Sequence, residues 1–223
     1  MIDYFRRDHH SEALVRLRSR YALRARQRLF TLFMTALKPE ATSKILDIGV
    51  TPDQALPETN FFEKLYPYPA QITAASIEDA AALEQSYPGL RFVQVNGGPL
   101  PFADNSFDVV FCSAVLEHVG DEAAQRAFVA ESLRVAKKFF FTTPNRWFPL
   151  EFHTFLPLLH WLPQSWHQWL LSRLGFHFWA QTAHLNLLSL SRLRALLPPC
   201  KQVSVYRYRL FGWPANLVIY GEK

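Results

Sequence analysis

The chain is poor in the features that mark several protein classes. Its 223 residues hold two cysteines, Cys112 and Cys200, too few for a disulfide framework, so a reducing cytoplasm is the expected setting. No run of about 18 consecutive apolar residues is present, which argues against a membrane-crossing helix. The basic start leads into HHSEALVRLRSR rather than into an apolar run closed by small residues, so no secretory signal is expected. Internal repeats, low-complexity tracts and metal-ligand spacings are missing, and no metal site is expected. No G-x-G-x-x-G follows the first apolar strand, which disfavours a nicotinamide dehydrogenase.

What is present is an ordered composition, 49% hydrophobic against 19% charged, in a length that suits one α/β domain with a cap. The net charge of +5 is concentrated at the start, where residues 1–30 hold eight arginines against Asp3, Asp8 and Glu12. From Glu12 to Leu37, Leu14, Leu17, Tyr21, Ala25, Leu29 and Phe33 recur at helical spacing, with Arg16, Arg20, Arg24 and Arg28 on another stripe. This predicts a basic amphipathic helix, a cap over residues 1–40. Its outer face is read as solvated, or alternatively as resting on anionic lipid. No binding motif accompanies the charge, and no nucleic-acid partner is expected.

The informative stretch is residues 100–119, LPFADNSFDVVFCSAVLEHV. The run from Phe107 to Cys112 is nearly all apolar, as in a strand buried on both faces of a parallel sheet. Ser113, Ala114, Glu117 and His118 follow it, where an open α/β sheet places its ligands. The spacing LPF-x-D-x-SFD-x-V followed by LEH resembles the class I S-adenosylmethionine (SAM) dependent methyltransferases that act on small molecules. The resemblance implies a Rossmann-like fold with a mostly parallel seven-stranded sheet ending in an antiparallel hairpin, here with an N-terminal helix and an aromatic-rich helical insertion. The methyltransferase-like domain would span 41–223, the insertion 147–179.

The resemblance also assigns cofactor positions. Asp47, Gly49 and Val50, after the apolar Ile45 to Ile48, fall at the acidic residue and glycine loop, where backbone amides must approach the cofactor closely. Thr51, Pro52 and Asp53 replace the remaining glycines, and Asp47 alone also reads as a strand-end turn residue. Ile72 to Ile77 predicts the second strand. Its end carries Ser76 where the family has a carboxylate for the ribose diol, and Glu78 is the substitute, with helix capping as its other reading. Asn96 and Gly97, after a third strand over 90–95, fall at the adenine contact or form a plain turn. Ser113 and Ala114 would line the methionine end. His118 is the candidate general base, or else orients the next helix.

A helix over 121–136 precedes a strand at 139–143, and a helix over 187–197 precedes two terminal strands, 203–208 and 217–220. Segment 147–179 holds five of the six tryptophans and four histidines, which suits packing on the sheet, an apolar substrate cap or a bilayer surface. The expected function is SAM-dependent methyl transfer to a small or lipid-linked acceptor. The protein would be cytoplasmic, or peripheral on the inner face of the membrane through 12–37 and 147–179. The alternative is a degenerate methyltransferase-like module in a membrane-associated assembly, suggested by the departures at the glycine loop, Ser76 and Asn96.

Overall fold

The structure, a computed structural model, describes residues 12–223. The charges of Asp3, Arg6, Arg7 and Asp8, and the facing of Leu14, Arg16 and Leu17, lie outside the described residues and side chains. The chain divides into two compact units, Met1–Gly98 and Pro99–Lys223. The first carries strands in the order β3-β2-β1 and the second in the order β4-β5-β7-β6, and the seven strands form one mostly parallel sheet.

In the first unit, α1 (Glu12–Leu37) runs over the whole stretch that the apolar spacing marks. Ala25, Leu29, Phe33 and Leu37 are buried, while Arg20, Arg24 and Arg28 are exposed, so one stripe faces the interior and another faces water. Proline-rich sequence leaves only a five-residue crossover helix, α2 (Phe61–Leu65), after β1 (Ile45–Ile48). Its Phe62 meets Phe33 edge-on at 5.1 Å between centroids and stacks on Tyr66 at 5.2 Å, an arrangement that suits the aromatic quadrupole. β2 (Ile72–Ser76) pairs in parallel with β1 and with β3 (Arg91–Gln94). Ile77 lies outside the strand and is exposed. The helix between them, α3 (Leu83–Ser86), has four residues.

The second unit is built on β4 (Phe107–Ser113), whose Val109 to Cys112 are fully buried as the apolar run requires. α4 (Glu122–Val135) starts at Asp121, whose carboxylate accepts the Ala124 N–H at 2.9 Å. β5 (Ala136–Pro144) begins at the residue after that helix, three residues earlier than the apolar pattern suggests. Lys137 and Lys138 belong to it, because a parallel ladder from Phe107↔Ala136 to Ser113↔Thr142 holds the backbone whatever the side chains.

Segment 147–179 contains one regular helix, α5 (Gln164–Arg173). The next, α6 (Leu190–Ala195), is shorter than the sequence pattern because Ser189 caps it, accepting the Arg192 N–H. β6 (Gln202–Leu210) and β7 (Trp213–Glu222) make the antiparallel finish. Only glycine fits at 221, since a Cβ there would stand 1.9 Å from the Gln202 carbonyl oxygen.

Candidate functional site

At the carboxyl ends of β1 to β3 the first unit gathers Asp47, Gly49, Val50, Ser76, Glu78, Asn96 and Gly97. The register pairs Asp47 with Ala74 and Ser76 with Gln94, and the Gly49 N–H donates to the Ala75 carbonyl at 2.8 Å. Gly49 takes φ 101° and Gly97 φ 78°, the left-handed region open to glycine. A Cβ on Gly97 would meet nothing within 4 Å. Ser76 is buried, its Oγ accepting the Glu78 N–H at 3.2 Å, which leaves Glu78 half-exposed at the strand end. Asn96 is exposed and its Oδ1 accepts the Gly98 N–H at 3.1 Å, so the turn reading of this residue holds in the structure.

Two features of this edge were not visible in the sequence. Asn60, itself at φ 46°, clasps the loop after β1: its Oδ1 accepts the Thr51 N–H at 3.0 Å and its Nδ2 donates to the Thr51 carbonyl at 2.7 Å. The clasp fixes by side-chain hydrogen bonds a loop that has lost its other glycines. The second is Glu63 of α2, which is buried beside Asp47. Burial, then the charge of Glu63 and a hydrogen bond to it, raise the Asp47 pKa well above the ordinary carboxyl value, and burial raises that of Glu63. Two carboxyls buried together disfavour ionising at once.

In the second unit, Ser113 and Ala114 leave β4 at its carboxyl end. Ser113 Oγ and Thr142 Oγ1 share a hydrogen bond at 2.9 Å, and the Ala114 N–H donates to the Thr142 carbonyl. Ala114 is left-handed at φ 58°, a conformation that strains a residue with a Cβ. Leu116 to His118 form a single 3-10 turn. Gln125 of α4 holds it, donating to the carbonyls of Leu116 and Asn186 at 2.9 and 3.1 Å, and Asn186 returns its own N–H to the Glu117 carbonyl at 2.8 Å.

Inside that turn Glu117 is fully buried and accepts the Thr143 hydroxyl at 2.9 Å. His118 donates from Nδ1 to the His184 carbonyl at 2.6 Å, and its ring meets that of His153 at 5.0 Å and 88°. His153 in turn donates from Nδ1 to Glu151 at 2.5 Å, and Trp179 lies against both imidazoles. Burial, with the charge of His153 next, lowers the His118 pKa to about 3. Burial would raise Glu151, but His153 and the hydrogen bonds from His153 and Thr154 outweigh it and bring its pKa to about 2. Of this cluster the sequence marks Glu117 and His118 as residues following the apolar strand, with His118 the candidate base; Glu151, His153 and Trp179 carry no local signal for it.

Beside Glu151 is a small cleft of about 10 Å³, room for about one water, lined by Pro144, Asn145, Phe148, Phe152, His160 and Leu187 among others. No helix among the described residues is long and apolar enough to cross a membrane.

The profile of a family described as a methyltransferase domain matches residues 46–139, a span that contains Asp47, Gly49 and Asn96 in the first unit and Ser113 to His118 in the second. Solved structures share the fold. A SAM-dependent methyltransferase from Thermotoga maritima, described as a possible histamine N-methyltransferase, is 16% identical with a TM-score of 0.56, covering 100% of each chain. A SAM-dependent methyltransferase from Methanosarcina mazei is 18% identical with a TM-score of 0.53, covering 85% of this chain and 96% of its own. The N-methyltransferase NodS from Bradyrhizobium japonicum, solved with S-adenosyl-L-homocysteine, is 14% identical with a TM-score of 0.51, covering 87% and 85%. No curated protein matches the sequence.

Proposed function

The chain carries a methyltransferase domain over residues 46–139 in the class I SAM-dependent methyltransferase fold, and from that premise we propose that it transfers the methyl group of SAM to a small acceptor. The observation that carries the reading is the methyltransferase domain over residues 46–139; the cleft beside Glu151, about 10 Å³, has room for about one water and sets no acceptor class. Its walls are mainly Phe, Pro and Leu, with Asn145 and His160 as the polar edges.

The cofactor fits the edge of the first unit. Gly49 and Gly97 expose backbone, Glu78 offers a half-exposed carboxylate for a diol, and Asn96 offers an amide for an adenine edge. Ser113 and Ala114 would face the methionine end. Asp47 enters indirectly in this reading, because its carboxyl is engaged with Glu63. The sulfonium supplies an already activated methyl group, so the protein's share is orientation and exclusion of water.

His118 receives no proton transfer here. Burial makes it a weak base, with a pKa of about 3, and the Nδ1 bond to the His184 carbonyl fixes its ring. It is a positioning residue for the turn after β4. Rescue of His118→Ala turnover by free imidazole would restore the base assignment; none is expected.

The test is calorimetric titration with SAM, followed by transfer of a labelled methyl group to a panel of small aromatic and aliphatic acceptors. Micromolar binding, weakened about tenfold or more in Glu78→Ala, is expected from a lost charge-assisted hydrogen bond of ~1.5–3 kcal/mol. Equal affinity of wild type and Glu78→Ala would remove Glu78 from the site. Methyl transfer only to long-chain acceptors would overturn the small-acceptor reading.

Peripheral membrane contact belongs to the same proposal. It is supported by exposed Trp147, Trp166 and Trp169 in 147–179 and by the exposed arginines of α1; vesicle binding tests it.

A further inference from the structure

We propose that Glu117, His118 and His153 form a binding site for one divalent transition-metal ion of the zinc class. One ligand atom from each of the three residues lies within 4.8 Å of the others, and Glu117 Oε1 is 4.0 Å from His118 Nε2. Ligand atoms about 2.0–2.2 Å from a common zinc stand roughly 3–4 Å apart, so side-chain shifts on the order of 1 Å close the set.

The surroundings of the three ligands carry the assignment further than their proximity does. A carbonyl and a carboxylate can only accept, so the contacts of His118 with His184 O and of His153 with Glu151 each place a proton on Nδ1. In the neutral imidazole the lone pair is then on Nε2, the atom that His118 turns toward Glu117. The second oxygen of Glu117 is held by the Thr143 hydroxyl. Glu117 and His118 are thus each oriented through their other polar atom, and a histidine donating to a carboxylate behind it, as His153 does to Glu151, is the usual support of a metal-bound imidazole. Two imidazoles and one carboxylate suit zinc, cobalt or iron(II) better than magnesium or calcium, which take oxygen. Three protein ligands leave a coordination position for water or another oxygen.

The proposal is independent of methyl transfer, and its readout is metal affinity. The full chain, stripped with a chelator, is titrated with Zn2+ by calorimetry and with Co2+ by visible absorption. One equivalent of Zn2+ is expected at micromolar or tighter Kd, with a Co2+ spectrum more intense than that of the aquo ion. Glu117→Gln is expected to weaken Zn2+ by more than tenfold, and Thr143→Val, which keeps all three ligands, by about tenfold. Failure of the wild-type chain to take up either ion overturns the site. So does Zn2+ affinity unchanged in Glu117→Gln or, should that variant not fold, in Thr143→Val.

Discussion

Single residues at the strand ends set the chemistry that each edge can perform, and the buried pair Asp47 and Glu63 is the clearest case. Both pKa values stand above the unfolded values of 3.8 and 4.5. A carboxyl whose pKa is raised on folding contributes stability that is complete below the unfolded pKa and lost as pH rises through the folded one. Urea unfolding of wild type against Asp47→Asn is therefore expected to show a difference that shifts against the wild type from pH 5 to pH 8. The shift is worth about 1.4 kcal/mol for each unit by which the pair's pKa is raised; a difference that does not change with pH would mean that the pair takes up no proton on folding. Ala114 gives a second test. At φ 58° its Cβ costs about 1–2 kcal/mol of conformational strain, and Ala114→Gly returns part of that as lost chain entropy. A net gain of up to about 1 kcal/mol in unfolding free energy is expected, and a loss would show that the strain is relieved within the native turn.

At the scale of elements, the sequence was legible wherever one local pattern decides the structure. The apolar run of β4, the stripe of α1 and the helical spacing over 121–136 each give their element with ends correct to within a residue, because burial acts on neighbours in sequence. β5 was misjudged by three residues since its lysines look unlike a strand while the parallel ladder holds them. The site divides in the same way. Glycines and the residues after β4 are local and visible; the clasp from Asn60 to Thr51 spans nine residues, and the contact between His118 and His153 spans more of the chain, so neither follows from any window. The element with most to lose from one side chain is α4. Asp121→Ala removes its N-cap and is expected to cost about 1 kcal/mol, read as a lower Tm, and because Gln125 of that helix pins the turn at 116–118, methyl transfer should fall with it. Unchanged Tm would mean that the exposed cap contributes nothing beyond what water supplies.

On the scale of the whole molecule, charge and aromatic exposure are distributed in a way that folding alone does not require. The net charge is +5, and α1 keeps Arg20, Arg24 and Arg28 in water. In the other unit α5 exposes Trp166 to 66% and Trp169 to 57%, with Arg173 over the Trp169 ring at 5.5 Å. Positions 166, 169 and 173 fall on one helical face, and a face of indole rings bordered by a guanidinium suits the headgroup boundary of a bilayer. The two contributions respond to different variables, so they are separable. Basic residues near an anionic surface are worth ~1 kcal/mol each and are screened by salt, whereas indole insertion is not. Sedimentation with phosphatidylserine-containing vesicles is expected to be strong at low salt and to fall as salt rises toward physiological strength. The double variant Trp166→Ser/Trp169→Ser should lower binding severalfold at every salt concentration and abolish the blue shift of tryptophan emission on adding vesicles. Binding to neutral vesicles as strong as to anionic ones would remove α1 from the contact. No sedimentation at low salt would leave the tryptophans of α5 to another role and end the membrane reading.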